Sequence, residues 1–165
     1  MSAVKVLFVC LGNICRSPTA HGVFQQLLET RGFDHLVQVD SAGTGDWHIG
    51  LPPDQRASAS AARRGYDLSP LRARQVVAAD FREYDYILAM DAQNLSNLRK
   101  LAPANFAGEL QLFLHYARGV DEREVPDPYY GGLDGFDHVL DLVENAARGL
   151  LDELAVRHGL QARPL

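Results

Sequence analysis

Cys10 and Arg16 bracket the short run Leu11-Gly12-Asn13-Ile14-Cys15. A thiolate is a strong nucleophile, and a planar guanidinium can grip two oxygens of a tetrahedral anion at once. The pair can therefore do phosphoryl-transfer chemistry if the chain between them folds back on itself. The flanking residues predict that fold. Val4 to Val9 reads as a buried strand interrupted only by Lys5, while Ser17 and Pro18 read as the N-cap and first position of a helix. A loop turning onto a helix N-terminus gathers backbone N–H groups into a nest for an oxyanion. Gly12 permits positive φ, and Asn13 tolerates it. Cys10 then lies beneath the anion, where the helix dipole and Arg16 favour the thiolate over the thiol. That change of charge state accounts for only about 30-fold in rate. The larger share falls to electrostatic stabilisation by the loop N–H groups and Arg16.

A second chemical group stands in Asp127-Pro128-Tyr129-Tyr130, more than a hundred residues downstream. Asp127 is the candidate acid for the leaving oxygen and then the base for water, a role that contributes about 10²–10⁴-fold. An aspartate before proline is by itself a common turn. Here it sits in the stretch from His115 to Gly135, which has no sustained period, and loops that long in a compact domain are usually functional. Tyr129, Tyr130 and Trp47 are expected to wall a slot for an aromatic ring, each stacking contact being worth about 0.5–1.5 kcal/mol. The alternative is that they pin the loop to the domain. Ser17 has a second role open to it, a hydrogen bond to the sulfur. Cys15 is open to two readings, a reversible disulfide partner of Cys10 or inert packing.

The run Cys10-Leu11-Gly12-Asn13-Ile14-Cys15-Arg16-Ser17, near the N-terminus, resembles the phosphate-binding loop of the low-molecular-weight protein tyrosine phosphatases. Asp127-Pro128-Tyr129-Tyr130 resembles that family's general-acid loop, and the likeness spans nearly the whole chain. It implies hydrolysis of phosphotyrosine through a phosphocysteine, with Cys10, Arg16 and Asp127 as the catalytic groups and no cofactor. Leu11, Gly12, Asn13, Ile14, Cys15, Ser17, Trp47, Tyr129 and Tyr130 would surround the substrate. A phosphotyrosine-bearing protein is the implied partner, a tyrosine kinase among the candidates, and the tyrosines here become candidates for phosphorylation. Asn13 and Ser41 resemble positions whose side chains hold the loop in shape. The family often has a histidine just ahead of Arg72-Ala73-Arg74-Gln75, where this chain has Leu71.

Rival chemistries fit less well. A protein-arginine phosphatase tends to have threonine where this chain has Ile14, and Ile14 favours aryl phosphates. A thiol-dependent arsenate reductase needs relay cysteines downstream, and none follows Cys15. A nucleotide-binding P-loop would end in Gly-Lys-Ser/Thr. The six histidines show no metal-ligand spacing, so no metal is expected.

A chain of 165 residues predicts one domain over 1–165, burying roughly 70% of the surface its unfolded form exposes. Hydrophobic residues at 47% and charged ones at 22% are ordinary for a globular protein. With 16 basic against 21 acidic residues the net charge is −5, which argues against nucleic acid. The longest apolar run, Val6 to Leu11, is too short to span a bilayer, and no signal segment precedes it. Two cysteines, both inside the loop, fit the reducing cytoplasm. Physiological substrate and oligomeric state are not legible.

The positioning elements read as alternating strands and helices. Helix 18–31 carries Val23, Phe24, Leu27 and Leu28 on one face and stops at Gly32. Strand 37–41 runs into a glycine-rich turn, 41–45. An alanine-rich helix after Pro52-Pro53 ends at Gly65 and is expected to lie against the sheet. Strand 86–90 leads to Asp91, which caps a helix bearing Leu95, Leu98 and Leu101. Strand 110–114 follows, then a long final helix with Phe136, Val139, Leu140, Val143, Ala147, Leu150, Leu151 and Leu154 on one face. Residues 159–165 read as a frayed tail. The sum is an α/β three-layer sandwich with a central four-stranded parallel sheet, helices on both faces and the phosphate-binding loop after the first strand. Cys10, Ser41 and Asp91 fall on one rim, beyond the carboxyl ends of the strands, where such folds bind ligands.

Overall fold

The computed structural model describes residues 3–129 and 131–164. Strand β1 (Val4–Cys10) lies inside a fully parallel sheet of order β2-β1-β3-β4, with β2 (Val37–Gly43), β3 (Tyr86–Ala89) and β4 (Glu109–Leu112). Because β1 is covered on both faces, its successive side chains divide between two cores. Val6, Phe8 and Cys10 join the larger one, with Phe24 and Leu28 of helix α1 (Arg16–Arg31) and Val139, Val143 and Leu150 of helix α5 (Leu133–His158). Leu7 and Val9 join the other, with Ile87, Ala89 and Leu95 and Leu98 of helix α4 (Ala92–Leu101). Phe8 anchors the first core by edge contacts to Phe24 at 5.8 Å and Phe113 at 4.9 Å between centroids. This is the three-layer α/β arrangement expected from the alternating pattern.

Several local expectations need correction. Helix α1 starts at Arg16, not Pro18, and its N-cap is Cys15, which makes no side-chain cap bond. Ser17 is therefore inside the first turn, because its hydroxyl is drawn to the Cys10 sulfur. Of the two residues able to take positive φ, Asn13 does, at 58°, and Gly12 does not. Gly12 instead makes room for a neighbour, since a Cβ there would stand 2.8 Å from His48 Cδ2. Residues 41–43 belong to β2 rather than to a turn, held by register with Phe8, Val9 and Cys10.

Helix α2 (Gln55–Arg63), capped by Asp54, packs mainly on α5 and α1 rather than on a strand. Its small residues fit it to a neighbouring helix as well as to a sheet, so the pattern could not choose. A four-residue helix, α3 (Asp80–Glu83), lies in a stretch assigned to no element by periodicity, and Phe81 packs from it into the second core. Leu101 at the end of α4 is exposed. Beyond β4 the chain winds into a 3₁₀ turn, Phe113–Tyr116, that turns Phe113 and Leu114 into the first core. The tail is not loose where described: Arg163 donates its backbone N–H to Gly32 O at 2.9 Å, and its guanidinium pairs with Asp34 at 2.5 Å. No helix among the described residues is long and apolar enough to cross a membrane.

Candidate active site

Between β1 and α1 the chain must turn in the five residues 11–15, and its carbonyls settle how. Cys10 O accepts from Thr44 N, Leu11 O from Gly45 N, Ile14 O from Asp54 N and Cys15 O from Thr19 N. All four point outward into neighbouring backbone. In a trans peptide the N–H points opposite to the preceding C=O, so the N–H groups of Leu11, Gly12, Cys15 and Arg16 turn to the inside of the loop. Asn13 N–H, at the left-handed residue, donates to Cys10 Sγ at 3.2 Å. The result is a concavity of backbone donors at a helix N-terminus, suited to an oxyanion.

Ser17 completes the surroundings of the sulfur. Its Oγ lies 3.0 Å from Cys10 Sγ and accepts from Asn13 Nδ2 at 2.8 Å. The Ser17 hydroxyl also lies 3.4 Å from Ala42 O, to which it can donate; facing a Cys10 thiolate, which can only accept, the same proton serves the sulfur. Asn13 Oδ1 accepts Arg74 N–H at 2.9 Å, tying the loop to the segment after Leu71. Asn13 and Ser17 are buried, and these bonds brace the loop from behind. Ser41, expected to do the same, bonds His21 Nδ1 at 3.1 Å instead.

Arg16 is 3% exposed, and its guanidinium is held from behind. Nη1 donates to Asp91 Oδ2 at 2.6 Å and to Val125 O at 3.0 Å, and Nη2 lies 3.7 Å from Asp127 Oδ2. Burial works against its charge, but the Cys10 charge, Asp91 and Asp127 outweigh burial and raise its pKa above the ordinary arginine value. Asp127 Oδ1 accepts Tyr129 N–H at 3.0 Å, a tight turn that fixes the acidic side chain relative to the aromatic one.

These groups face one cavity of about 390 Å³, lined by Cys10, Leu11, Gly12, Ile14, Cys15, Arg16, Trp47, His48, Asp127 and Tyr129. The structure thus brings Cys10, Arg16 and Asp127 together although Asp127 comes from the far end of the chain. Trp47 and Tyr129 stand at the mouth, 67% and 38% exposed. Tyr130 lies outside the described residues. Cys15 is a free thiol packed against Ala57 and Phe136. Burial above all, then Asp54 and Cys10, push its pKa up to about 12.

Sequence reasoning missed His48, which lines the cavity, and recognised Asp91 only as a helix cap at the rim. The first carries no signal, being one of six scattered histidines. Asp91 lies two residues past the end of β3, beside β1, and its place on the rim was the available signal.

The model of the low molecular weight phosphotyrosine protein phosphatases matches residues 5–159. The chain belongs to that family. A low molecular weight protein-tyrosine-phosphatase of Streptomyces coelicolor is 46% identical over 162 residues, covering 96% of this chain and 97% of the relative. Among solved structures, a protein tyrosine phosphatase of Entamoeba histolytica superposes with a TM-score of 0.91 at 37% identity, covering 96% of this chain and all of that one. A drosophila arginine phosphatase also superposes, with a TM-score of 0.84 at 32% identity over 92% of this chain and 97% of its own. The phosphatase fold therefore does not by itself separate a phosphotyrosine from a phosphoarginine substrate. Phosphoprotein substrates are what the family implies.

Proposed function

We propose that this chain, acting as one domain, hydrolyses phosphotyrosine on proteins and small aryl phosphates, with Cys10 as nucleophile, Arg16 as anion clamp and Asp127 as acid and base. The observation that carries the reading is the meeting of three groups in one cavity: the Cys10 sulfur under two polar donors, the fixed Arg16 guanidinium and the Asp127 carboxyl 3.7 Å from it. The thiolate attacks phosphorus in line, an S–P bond forms and the P–O bond to the phenol breaks. Asp127 gives its proton to the departing oxygen. The Asp127 carboxylate then takes a proton from water as that water attacks phosphorus, and the S–P bond breaks to release phosphate and the thiolate. Arg16 and the loop N–H groups hold the equatorial oxygens in both steps, where charge develops.

Ile14, Trp47 and Tyr129 give the cavity an apolar wall, which supports an aryl ester over phosphoarginine. The substrate is a phosphotyrosine-bearing protein, a tyrosine kinase among the candidates, met in the cytoplasm, where the Cys10 and Cys15 thiols stay reduced.

Hydrolysis of p-nitrophenyl phosphate and a phosphotyrosine peptide, with and without chelator, tests this. Turnover should survive chelation and vanish in Cys10→Ser. In Asp127→Asn it should fall about 10²–10⁴-fold while phosphopeptide binding remains. A higher kcat/KM for a phosphoarginine peptide than for phosphotyrosine, or loss of turnover on chelation, would overturn the reading.

A further inference from the structure

Arg56, in the first turn of α2, belongs to none of the groups described so far, yet it touches both halves of the site. Its Nε and Nη2 make a fork onto Asp54 Oδ1 and Oδ2, both at 3.2 Å. Asp54 is itself fixed: it caps α2 through Arg56 N and Ala57 N, and its own N–H donates to Ile14 O of the phosphate-binding loop at 2.8 Å. The guanidinium plane is thus rooted in the loop. Above it lie two rings, Tyr129 with its centroid 5.3 Å from Arg56 Cζ and Phe136 at 5.0 Å. Phe136 is buried against Cys15 and Ala57, so it is a fixed wall; Tyr129 is the ring that follows Asp127.

We propose that Arg56 is a positioning residue for the general acid: it seats the Tyr129 ring on the phosphate-loop side of the site and thereby fixes the Asp127 carboxyl over the leaving oxygen. The link from ring to carboxyl is the turn in which Asp127 Oδ1 accepts Tyr129 N–H at 3.0 Å. A ring held on the guanidinium restricts the Tyr129 backbone, and with it the N–H that the acid binds. No contact of Arg56 with the reacting atoms is needed. A guanidinium suits the task because one planar group can bind a carboxylate along its edge while presenting its face to a ring; an ammonium does neither in fixed geometry.

This role rests on the phosphatase reading and deepens it. It has a readout that a merely structural residue would not move. Protonation matters greatly when the leaving group is a poor one such as phenol, and little when it is a good one such as 2,4-dinitrophenol. In Arg56→Ala, kcat/KM for phenyl phosphate should fall about tenfold or more, while that for 2,4-dinitrophenyl phosphate should fall by less than about threefold. Arg56→Lys, which keeps the charge and much of the stem, should show the same divergence, so the comparison survives if the alanine variant does not fold. The alkaline limb of the pH–rate profile for phenyl phosphate, where the general acid loses its proton, should flatten in both variants. Equal losses on the two esters, or full rescue by lysine, would overturn the role of Arg56 alone. A wild-type chain inert toward both esters would overturn the phosphatase reading beneath it.

Discussion

Arg16 Nη1 lies 2.6 Å from Asp91 Oδ2, and Asp91 Oδ1 at the same time accepts the N–H of Asn94 at 2.8 Å. One carboxylate therefore starts helix α4 and aims the anion clamp, joining the ends of β1 and β3 across the rim. The two duties separate by mutation. Asn caps a helix as well as Asp does but cannot complete the ion pair. Asp91→Asn should keep its Tm within a couple of degrees of wild type and lose about 10–100-fold in kcat/KM as the guanidinium drifts. Asp91→Ala should lose the same activity and also about 1 kcal/mol of stability. Thermal melts beside steady-state kinetics check the pair, and weaker vanadate inhibition in both variants would report the clamp directly. An Asp91→Asn enzyme of wild-type activity would mean that Val125 O and Asp127 suffice to orient Arg16.

Gly43 pairs with Cys10 at the last rung of β2, and a Cβ there would meet Leu11 O at 2.6 Å and Asn13 N at 3.2 Å. Both are backbone atoms of the phosphate-binding loop, which cannot swing aside as a side chain can. Gly43→Ala should cost about 1–3 kcal/mol by overpacking. Its larger effect should be on the loop, with phosphate no longer protecting Cys10 from alkylation. A variant of normal melting temperature and normal phosphate protection would show the loop to be more pliant than this contact implies.

What the sequence made legible follows from how local each signal was. Cys10 to Ser17 is a contiguous loop between a strand and a helix, and its place after β1 could be read from hydrophobic pattern and turn chemistry alone. Asp127 was legible from a motif rather than from any period, since the described residues between 117 and 132 belong to no regular element. Arg74 and Arg56 were not, because their partners arrive by tertiary folding: Asn13 Oδ1 on Arg74 N–H, and the Tyr129 ring over Arg56. The misplaced start of α1 has the same origin. Ser17 has N-cap chemistry, but a thiol one turn beneath it competes for the hydroxyl, and the helix begins earlier at Arg16.

His21 offers a test at acid pH. It is half-buried on α1 with Nδ1 at 3.1 Å from Ser41 Oγ, and loss of solvent around the ring lowers its pKa below the ordinary 6.5, with nearby Asp40 opposing the shift. The fold therefore prefers the neutral ring. That preference contributes stability above pH 6.5, where the unfolded chain is also neutral, and it is lost as pH falls toward the lowered folded value. Melting temperature should begin to drop just below pH 6.5. His21→Gln, which can still bond Ser41 but cannot take up a proton, should hold flat until the carboxylates titrate. Identical acid profiles for the two proteins would count against it.

The alkaline side has the opposite sign. Burial and nearby carboxylates push Cys15, Tyr66 and Tyr84 up to about 12 from ordinary values of 9.0 for the thiol and 10.0 for the phenols. Tyr116 is raised further by the same burial. Each of these groups is held protonated by the fold, so its contribution is complete below the unfolded value and disappears as pH climbs through the folded one. Melting temperature should stay level to about pH 9 and then decline toward 12, with Cys15→Ala delaying the onset to about 10 because only the phenols remain. The same shift makes a chemical contrast between two cysteines in one loop. At pH 8, iodoacetate should add once to the folded chain, at Cys10, and not at all when vanadate fills the loop; in urea it should add twice. Two adducts on the folded protein at pH 8 would mean that Cys15 opens to solvent, against its packing between Ala57 and Phe136.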